Sequence, residues 1–319
     1  MKTKALLLSL VCASLGITGI AHSASFTLTN ENQNIQLKQL PKKIAVYDLS
    51  TLDTLNALSI QADIVPETSF SGHLAHYNQA RFIKAGSLFE PDLAQLKQLQ
   101  PDLIFVGGRS AKTLPSLQPI AATIDFSPNT NHYMSDLKSR TFSLAKAFNR
   151  VDLAEKKLKA LEQLQQQLKQ QTLNKSAIML FAVGDQYMPH AANDRFGFVY
   201  ELTGFKSVLP LTEKTDAARP EAGSAEALAA QKKNAENLTA AMQKNPDYLI
   251  VLDRGAVHTQ NYATKQGIKD HPILGQSEAV KQNKVIFVNA DAWYLTGAGL
   301  DNTAFMLKEI LAAMHKSRQ

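Results

Sequence analysis

Three arginines stand where a ligand could be met. Arg109 closes the run Pro101-Asp102-Leu103-Ile104-Phe105-Val106-Gly107-Gly108-Arg109, and Arg254 closes Pro246-Asp247-Tyr248-Leu249-Ile250-Val251-Leu252-Asp253-Arg254, the same pattern 145 residues later in a chain of 319. Both read as a Pro-Asp turn, a buried strand, and an arginine at the strand's carboxyl end. Arg195, in Asn193-Asp194-Arg195-Phe196-Gly197, comes after another apolar run, Ala177 to Val183. Ligands of open α/β sheets collect beyond the carboxyl ends of the parallel strands, and a guanidinium is a planar fork of donors that fits anionic oxygens. Two half-chains that each deliver an arginine to that edge suggest two lobes gripping one anion. The competing reading is two α/β lobes that share a turn and expose ordinary surface arginines. Trp293 and Tyr294 precede Gly297 and Gly299 on a loop past the run Lys284 to Val288. That suits a flat ligand approached closely by backbone, or else a packed turn with its tryptophan in the core.

The elements that must position these residues follow from periodicity. Each copy of the repeat is preceded by a short helical pattern, residues 92–99 and 237–244. Buried-strand runs at 43–48, 62–65, 122–126, 177–183 and 284–288 alternate with helical stretches, which implies a mainly parallel sheet with flanking helices in each half. Ser50 reads as the cap of a helix through Leu52, Leu55 and Leu58. Phe26 to Leu28 and Ile35 to Leu37 read as an edge hairpin. Asp152 and Glu155 form a capping-box pattern before a leucine stripe at 153, 158, 161, 164 and 168. With no Gly or Pro to about Gln171, this predicts one long helix of about 30 Å, crossing the back of a two-lobed α/β protein and permitting only small lobe motions. Residues 209–234 are polar and predict a loop and short helix at the rim. The expected organisation is 1–23 as a signal peptide, 24–150 as the first lobe, 151–173 as the connecting helix and 174–319 as the second lobe.

Lys2 and Lys4 precede an apolar run to about Ile20, followed by Ala21-His22-Ser23. This is the pattern of a secretory signal, too short and wrongly flanked for a membrane span. The single cysteine, Cys12, lies inside that run, preceded by Ser9-Leu10-Val11 and not by a lipoprotein box. The expected mature chain, starting near Ala24, therefore has no thiol for a disulfide, a nucleophile or a metal. Loss of Lys2 and Lys4 takes the formal charge from +6 to +4. No basic stripe with interleaved aromatics marks a nucleic-acid binder, and the mild positive balance favours small anionic ligands.

Taken together, the Leu-x-x-Leu helix before Pro101-Asp102-Leu103-Ile104, the crossing helix, Asp194-Arg195-Phe196-Gly197, Asn245-Pro246-Asp247-Tyr248-Leu249 through Asp253-Arg254, and Trp293-Tyr294-Leu295 with Gly297 and Gly299 resemble the periplasmic ferric-siderophore-binding proteins of ABC importers. The similarity is greatest to the catecholate branch, which includes petrobactin, vibriobactin and anguibactin binders. It covers nearly the whole mature chain and implies a class III type two-lobed binding protein. It also implies a cleft lined by arginines and a lysine, which fall on Arg109, Lys112, Arg195 and Arg254, with Trp293 and Tyr294 beside them. A tyrosine of this branch can coordinate the siderophore's iron, and Tyr294 matches it. The branch's second ligand, a histidine, has no counterpart, because the region reads Gln231-Lys232-Lys233-Asn234; His190 and His258 match no family ligand. The implied partners are a ferric siderophore as cargo and an inner-membrane ABC permease with its ATPase, for a monomer in the periplasm with no cofactor. Glu90 and Glu236, near the starts of the paired helices, are candidates for docking to the permease; the alternative is that they complement helix dipoles.

The chemistry agrees with those residue types. A tris-catecholate iron(III) complex carries three negative charges, and each charge pair at about 4 Å is worth roughly 4 kcal/mol gross at an effective dielectric near 20, before desolvation takes back a large part. A haem or cobalamin receptor would keep the fold and change the cargo. A metal-ion receptor would want several histidines and a carboxylate converging on one ion, whereas the histidines here are scattered. An exported hydrolase would need a nucleophile and base, and neither Gly-x-Ser-x-Gly nor a cysteine nucleophile is present.

Overall fold

The computed structural model describes residues 25–30, 32–212, 220–221 and 223–316. The expected signal peptide, Cys12 and the expected mature start at Ala24 lie outside the described residues. Twelve strands are described: β1 (Phe26–Thr29), β2 (Asn34–Leu37), β3 (Ile44–Val46), β4 (Ile64–Val65), β5 (Ile83–Lys84), β6 (Leu103–Val106), β7 (Ala122–Asp125), β8 (Ser176–Val183), β9 (Gln186–His190), β10 (Lys206–Ser207), β11 (Tyr248–Asp253) and β12 (Val285–Phe287). The first lobe has an all-parallel sheet in the order β5-β4-β3-β6-β7, next to the β1–β2 hairpin. The second has β10-β8-β11-β12 in parallel, with β9 antiparallel along the outer half of β8. β6 and β11 are buried along their whole length, as strands covered by helices on both faces must be.

The repeated Pro-Asp has one structural job in both lobes. Asp102 Oδ2 accepts from the backbone N–H groups of Lys42 and Lys43 at 2.7 and 2.8 Å. Asp247 Oδ2 accepts from the N–H of Ser176 at 2.7 Å and from its hydroxyl at 2.9 Å. Each carboxylate thus ties the start of its own strand to the start of the neighbouring one, and so fixes register where the ladder begins.

The crossing helix, Val151–Thr172, packs Leu158, Leu161 and Leu168 inward against the helices Tyr133–Ala147, Phe198–Thr203 and Leu300–Lys316. Its predicted capping box does not form. The preceding helix is capped at Phe148, and beyond it only Asn149, at φ 55°, and Arg150 lead into the next. Arg150 therefore takes the cap position without a side-chain bond, and Asp152 falls inside the first turn, where it faces the positive end of the dipole. Ser50 is likewise inside its helix (Leu49–Ala57), and the cap is Asp48, which accepts from Thr51 N–H at 2.8 Å. Residues 225–243 form one long helix capped by Ser224, in place of the expected loop, short helix and separate 237–244 helix. With no Gly or Pro from Ala225 to Gln243 and many Ala, Gln, Lys and Glu, nothing interrupts it. Among the described residues no helix is long and apolar enough to cross a membrane.

Several contacts join the halves behind the sheets. Glu201 accepts from Tyr133 and Met134 N–H, both at 2.9 Å, and so caps a first-lobe helix from the second lobe. Asp53, fully buried on the Leu49–Ala57 helix, accepts from Asn302 N–H at 3.0 Å through Oδ2, while its Oδ1 has no partner among the described residues. Burial pushes this carboxyl up to about 7, nearby Asp301 adds to the rise, and the Asn302 bond opposes it. An unfolded aspartate ionises near 3.9, so the folded state favours the protonated form. Its stabilising contribution is complete below about pH 4 and is lost as pH rises through about 7. Asp53→Asn should therefore flatten the fall in melting temperature between about pH 4 and 7. A slope as steep as the parent's would show that Asp53 does not titrate there.

Candidate ligand-binding site

The site is built on three connections and one turn. After β6, Gly107 and Gly108 make the bend that carries Arg109. A side chain at Gly107 would meet Asp48 Cβ and Ser127 N at 3.0 Å, and Gly108 adopts φ +52°, which favours glycine. Arg109 then reaches across to the other lobe, donating from Nη2 to Tyr294 O at 2.6 Å and from Nη1 to Leu295 O at 3.3 Å. Arg254 is the first residue beyond β11, on a single 3₁₀ turn capped by Asp253, whose Oδ1 accepts from Gly255 N–H at 2.9 Å.

Arg195 is placed differently from expectation. β9, absent from the expected elements, intervenes after β8 and runs back along it, so Arg195 follows an antiparallel strand and not a parallel one. Its loop is tied by Asp194, which accepts from Ala191 N–H at 2.9 Å. The loop is closed by Gly197, where a Cβ would lie 2.2 Å from Ala192 O.

Tyr294 sits on a π-helical turn, Asp291–Thr296, and not on a loop. Such turns leave carbonyls to be satisfied from elsewhere. Asn302 Nδ2 donates to Ala292 O at 2.9 Å and Gly297 O at 2.7 Å. Glu309 accepts from Asn289 N–H and from Trp293 Nε1, both at 2.8 Å.

The outcome is a ring surrounded by cations. The guanidinium carbons of Arg254, Arg195 and Arg109 lie 4.8, 5.2 and 5.4 Å from the Tyr294 ring centroid. Phe181 lies parallel to Tyr294, 8° between planes and 5.7 Å between centroids, and Phe196 backs both. Burial raises the Tyr294 phenol, but hydrogen bonding from Arg254 and the charge of Arg195 outweigh it, and the group is held below the usual phenol range. For Arg109 the burial effect is largest and lowers it, Tyr294 opposes, and Arg195 and Arg254 lower it further. His190 stands edge-on to Phe196 at 5.1 Å. Burial pushes its imidazole down, with Asp194 opposing and Arg195 reinforcing.

The structure thus brings together four of the six cleft residues proposed from sequence, Arg109, Arg195, Arg254 and Tyr294. Lys112 is exposed on the next 3₁₀ turn and takes no part in the contacts around Tyr294. Trp293 does not line the site: it is 2 % exposed, stacked on Phe198 at 5.9 Å and bonded to Glu309, because its indole points into the core behind the turn. Glu90 is exposed ahead of a helix (Leu93–Leu99) whose cap is Asp92. Glu236 is exposed but lies deep within Ala225–Gln243, so the helix-start reasoning fails for it; Glu226 is the carboxylate in that first turn. His258 is exposed, with its N–H donating to Asp291 Oδ1 at 2.7 Å. Phe181 carries no mark of facing a ligand in the sequence, being one apolar residue inside a strand run, and Phe196 stands beside Arg195 in its loop without any pattern that distinguishes it from core packing.

Residues 44–292 match the periplasmic binding protein family, and the chain belongs to it. The petrobactin-binding protein YclQ of Bacillus subtilis is 28 % identical over 281 residues, covering 86 % of this chain and 83 % of the relative. The ferric-anguibactin-binding protein FatB of Vibrio anguillarum is 26 % identical over 278 residues, covering 85 % and 82 %. The crystal structure of YclQ superposes with a TM-score of 0.77 at 25 % identity, over 91 % of this chain and 98 % of the other.

A spectrophotometric pH titration should find one tyrosine that ionises below the rest, and Arg254→Gln should move that step upward. A titration curve identical in parent and variant would mean that Arg254 does not act on the phenol.

Proposed function

We propose that this chain is a periplasmic receptor that captures an anionic ferric siderophore of the catecholate type between its lobes and delivers it to an inner-membrane ABC permease with its ATPase. The observation that carries the reading is the gathering of Arg109, Arg195 and Arg254 around one half-buried tyrosine. Two of these arginines come from the second lobe and one from the first, so an anion held by all three is held by both halves. YclQ and FatB, whose names record petrobactin and ferric anguibactin as what they bind, support the cargo class. On this reading the protein acts as a monomer and catalyses nothing. Residues 1–23 direct its export, and 24–150 and 174–319 form the two lobes, with the 151–173 helix between them.

The donors suit a ferric complex better than a bare ion. Iron(III) brings its own oxygen shell in the siderophore, and what the complex presents outward is negative charge on oxygen and flat rings. Arginine forks meet both, through charge-assisted bonds and stacking. A naked divalent cation would instead face three positive side chains, and among the described residues no three His, Cys, Asp or Glu side chains converge to hold one. Where the siderophore leaves a coordination position open, Tyr294, already biased toward phenolate, is the oxygen offered to the iron. Lys112 adds charge at the edge of the cleft, and Glu90 and Glu236 are the exposed carboxylates put forward for permease contact.

Arg→Gln at any one of 109, 195 or 254 should weaken binding of a ferric catecholate complex by about 1.5–3 kcal/mol, the range for hydrogen bonds to charged groups. Quenching of Trp293, the single tryptophan, one residue from the proposed ligand position, provides the titration signal. Parent-like affinity in all three variants would dismantle the shared pocket. Tyr294→Phe should shift the charge-transfer band only for a complex with an open iron position.

A further inference from the structure

We propose that Phe181 forms the floor of an aryl subsite and selects cargo that presents a planar aromatic ring over cargo that presents only aliphatic carboxylates. The proposal rests on the ferric-siderophore reading above and adds to it a residue and a basis for discrimination. Phe181 is the sixth residue of β8, the strand bonded to β11 on one edge and to β9 and β10 on the other. Its strand neighbours Leu180 and Ala182 are fully buried, whereas Phe181 is partly open. That opening lies near the carboxyl end of a parallel strand, where ligands of such sheets are received.

The surroundings show which ligand an open ring there would favour. Phe181 and Tyr294 are parallel to within 8° at a centroid separation of 5.7 Å, too wide for a direct face-to-face sandwich and matching an offset stack. An offset pair leaves part of each ring face uncovered. Phe196 holds Phe181 from the side at 5.0 Å. The Arg195 guanidinium lies 5.0 Å from the Phe196 ring and 5.2 Å from Tyr294. A carboxylate-only complex gains nothing from an apolar ring beside the tyrosine that the three arginines surround, because its oxygens need donors and Phe181 supplies none. An aryl ring carrying anionic oxygens gains on both counts, with its edge oxygens on the guanidinium forks and its face on the open part of the stack. Phe181 therefore contributes little to charge recognition and much to telling one ferric complex from another.

The test uses the mature protein with two probes, ferric 2,3-dihydroxybenzoate and ferric citrate, and the variants Phe181→Leu and Phe181→Tyr. Thermal melts check that each variant folds. Phe181→Leu should weaken the aryl complex roughly threefold to tenfold, the stacking increment beyond simple burial, and leave the citrate complex unchanged; Phe181→Tyr should keep the preference. The diamagnetic gallium(III) complex of 2,3-dihydroxybenzoate gives a second readout. Its aryl protons should move upfield on binding to the parent and to Phe181→Tyr, and far less with Phe181→Leu. Equal losses for both probes in Phe181→Leu, or no loss for either, would overturn the subsite while leaving the cargo reading intact. A parent that binds neither complex would remove both. If Phe181→Leu does not fold, loss of the upfield shift in a folded Phe181→Met variant decides the question by the same criteria.

Discussion

Confining three like charges is the constraint on which the rest of this structure depends. With each guanidinium carbon within 5.4 Å of one ring centroid, no two can be further apart than twice that distance, about 11 Å. At an effective dielectric of 20 that separation still leaves roughly 1.5 kcal/mol of repulsion per pair. The tyrosine face returns about 0.5–1 kcal/mol for each cation at an exposed site, and its phenol leans toward the anion. Two backbone carbonyls take the Arg109 fork. These local compensations do not cancel the repulsion in full, so the framework must hold the turns against it. The Pro-Asp carboxylates that fix strand starts, the Asn302 and Glu309 bonds behind the π turn, and the Asp194 loop ties all serve that end.

The back of the molecule meets a matching requirement. Cations supplied from two lobes converge only if the lobes keep their relation, and here the relation is fixed by side chains that cross between them. Glu201 caps a helix of the opposite lobe, Arg140 donates to Ala298 O at 2.9 Å, and Tyr133 meets Thr303 at 2.9 Å. The last helix packs against both the Leu49–Ala57 helix and the crossing helix, so it belongs to the joint as much as to the second sheet.

Much of this was legible in the sequence because it rests on short-range patterns. Arg109 and Arg254 were visible through the repeat, whose aspartates have a local reason to recur. Tyr294 was visible through the glycines that follow it. What the sequence did not show depends on distant partners. β9 reads Gln186-Tyr187-Met188-Pro189-His190, and a proline inside a run argues against a strand; it forms because it lies at a sheet edge, held by β8. The burial of Trp293 is decided by Glu309 and Phe198, neither of which announces itself as a neighbour of Tyr294. The π turn has no compositional mark. Glu236 lies mid-helix for a different reason: its polar surroundings read as rim loop, but from Ala225 to Gln243 no residue breaks a helix and helix-forming composition prevails.

The three arginines and the tyrosine hang from four separate connections: one after β6, one after β9, one after β11 and the turn after β12. Each is tied to the frame by its own bonds, and the arginines meet the others at the tyrosine, Arg109 through the backbone of its turn and Arg254 through the phenol. A substitution in one connection can therefore change what the cleft prefers without loosening the sheets, and the next can follow in another connection. Under selection, such a chain can exchange one ligand for another by small heritable steps, each of which leaves a protein that still folds.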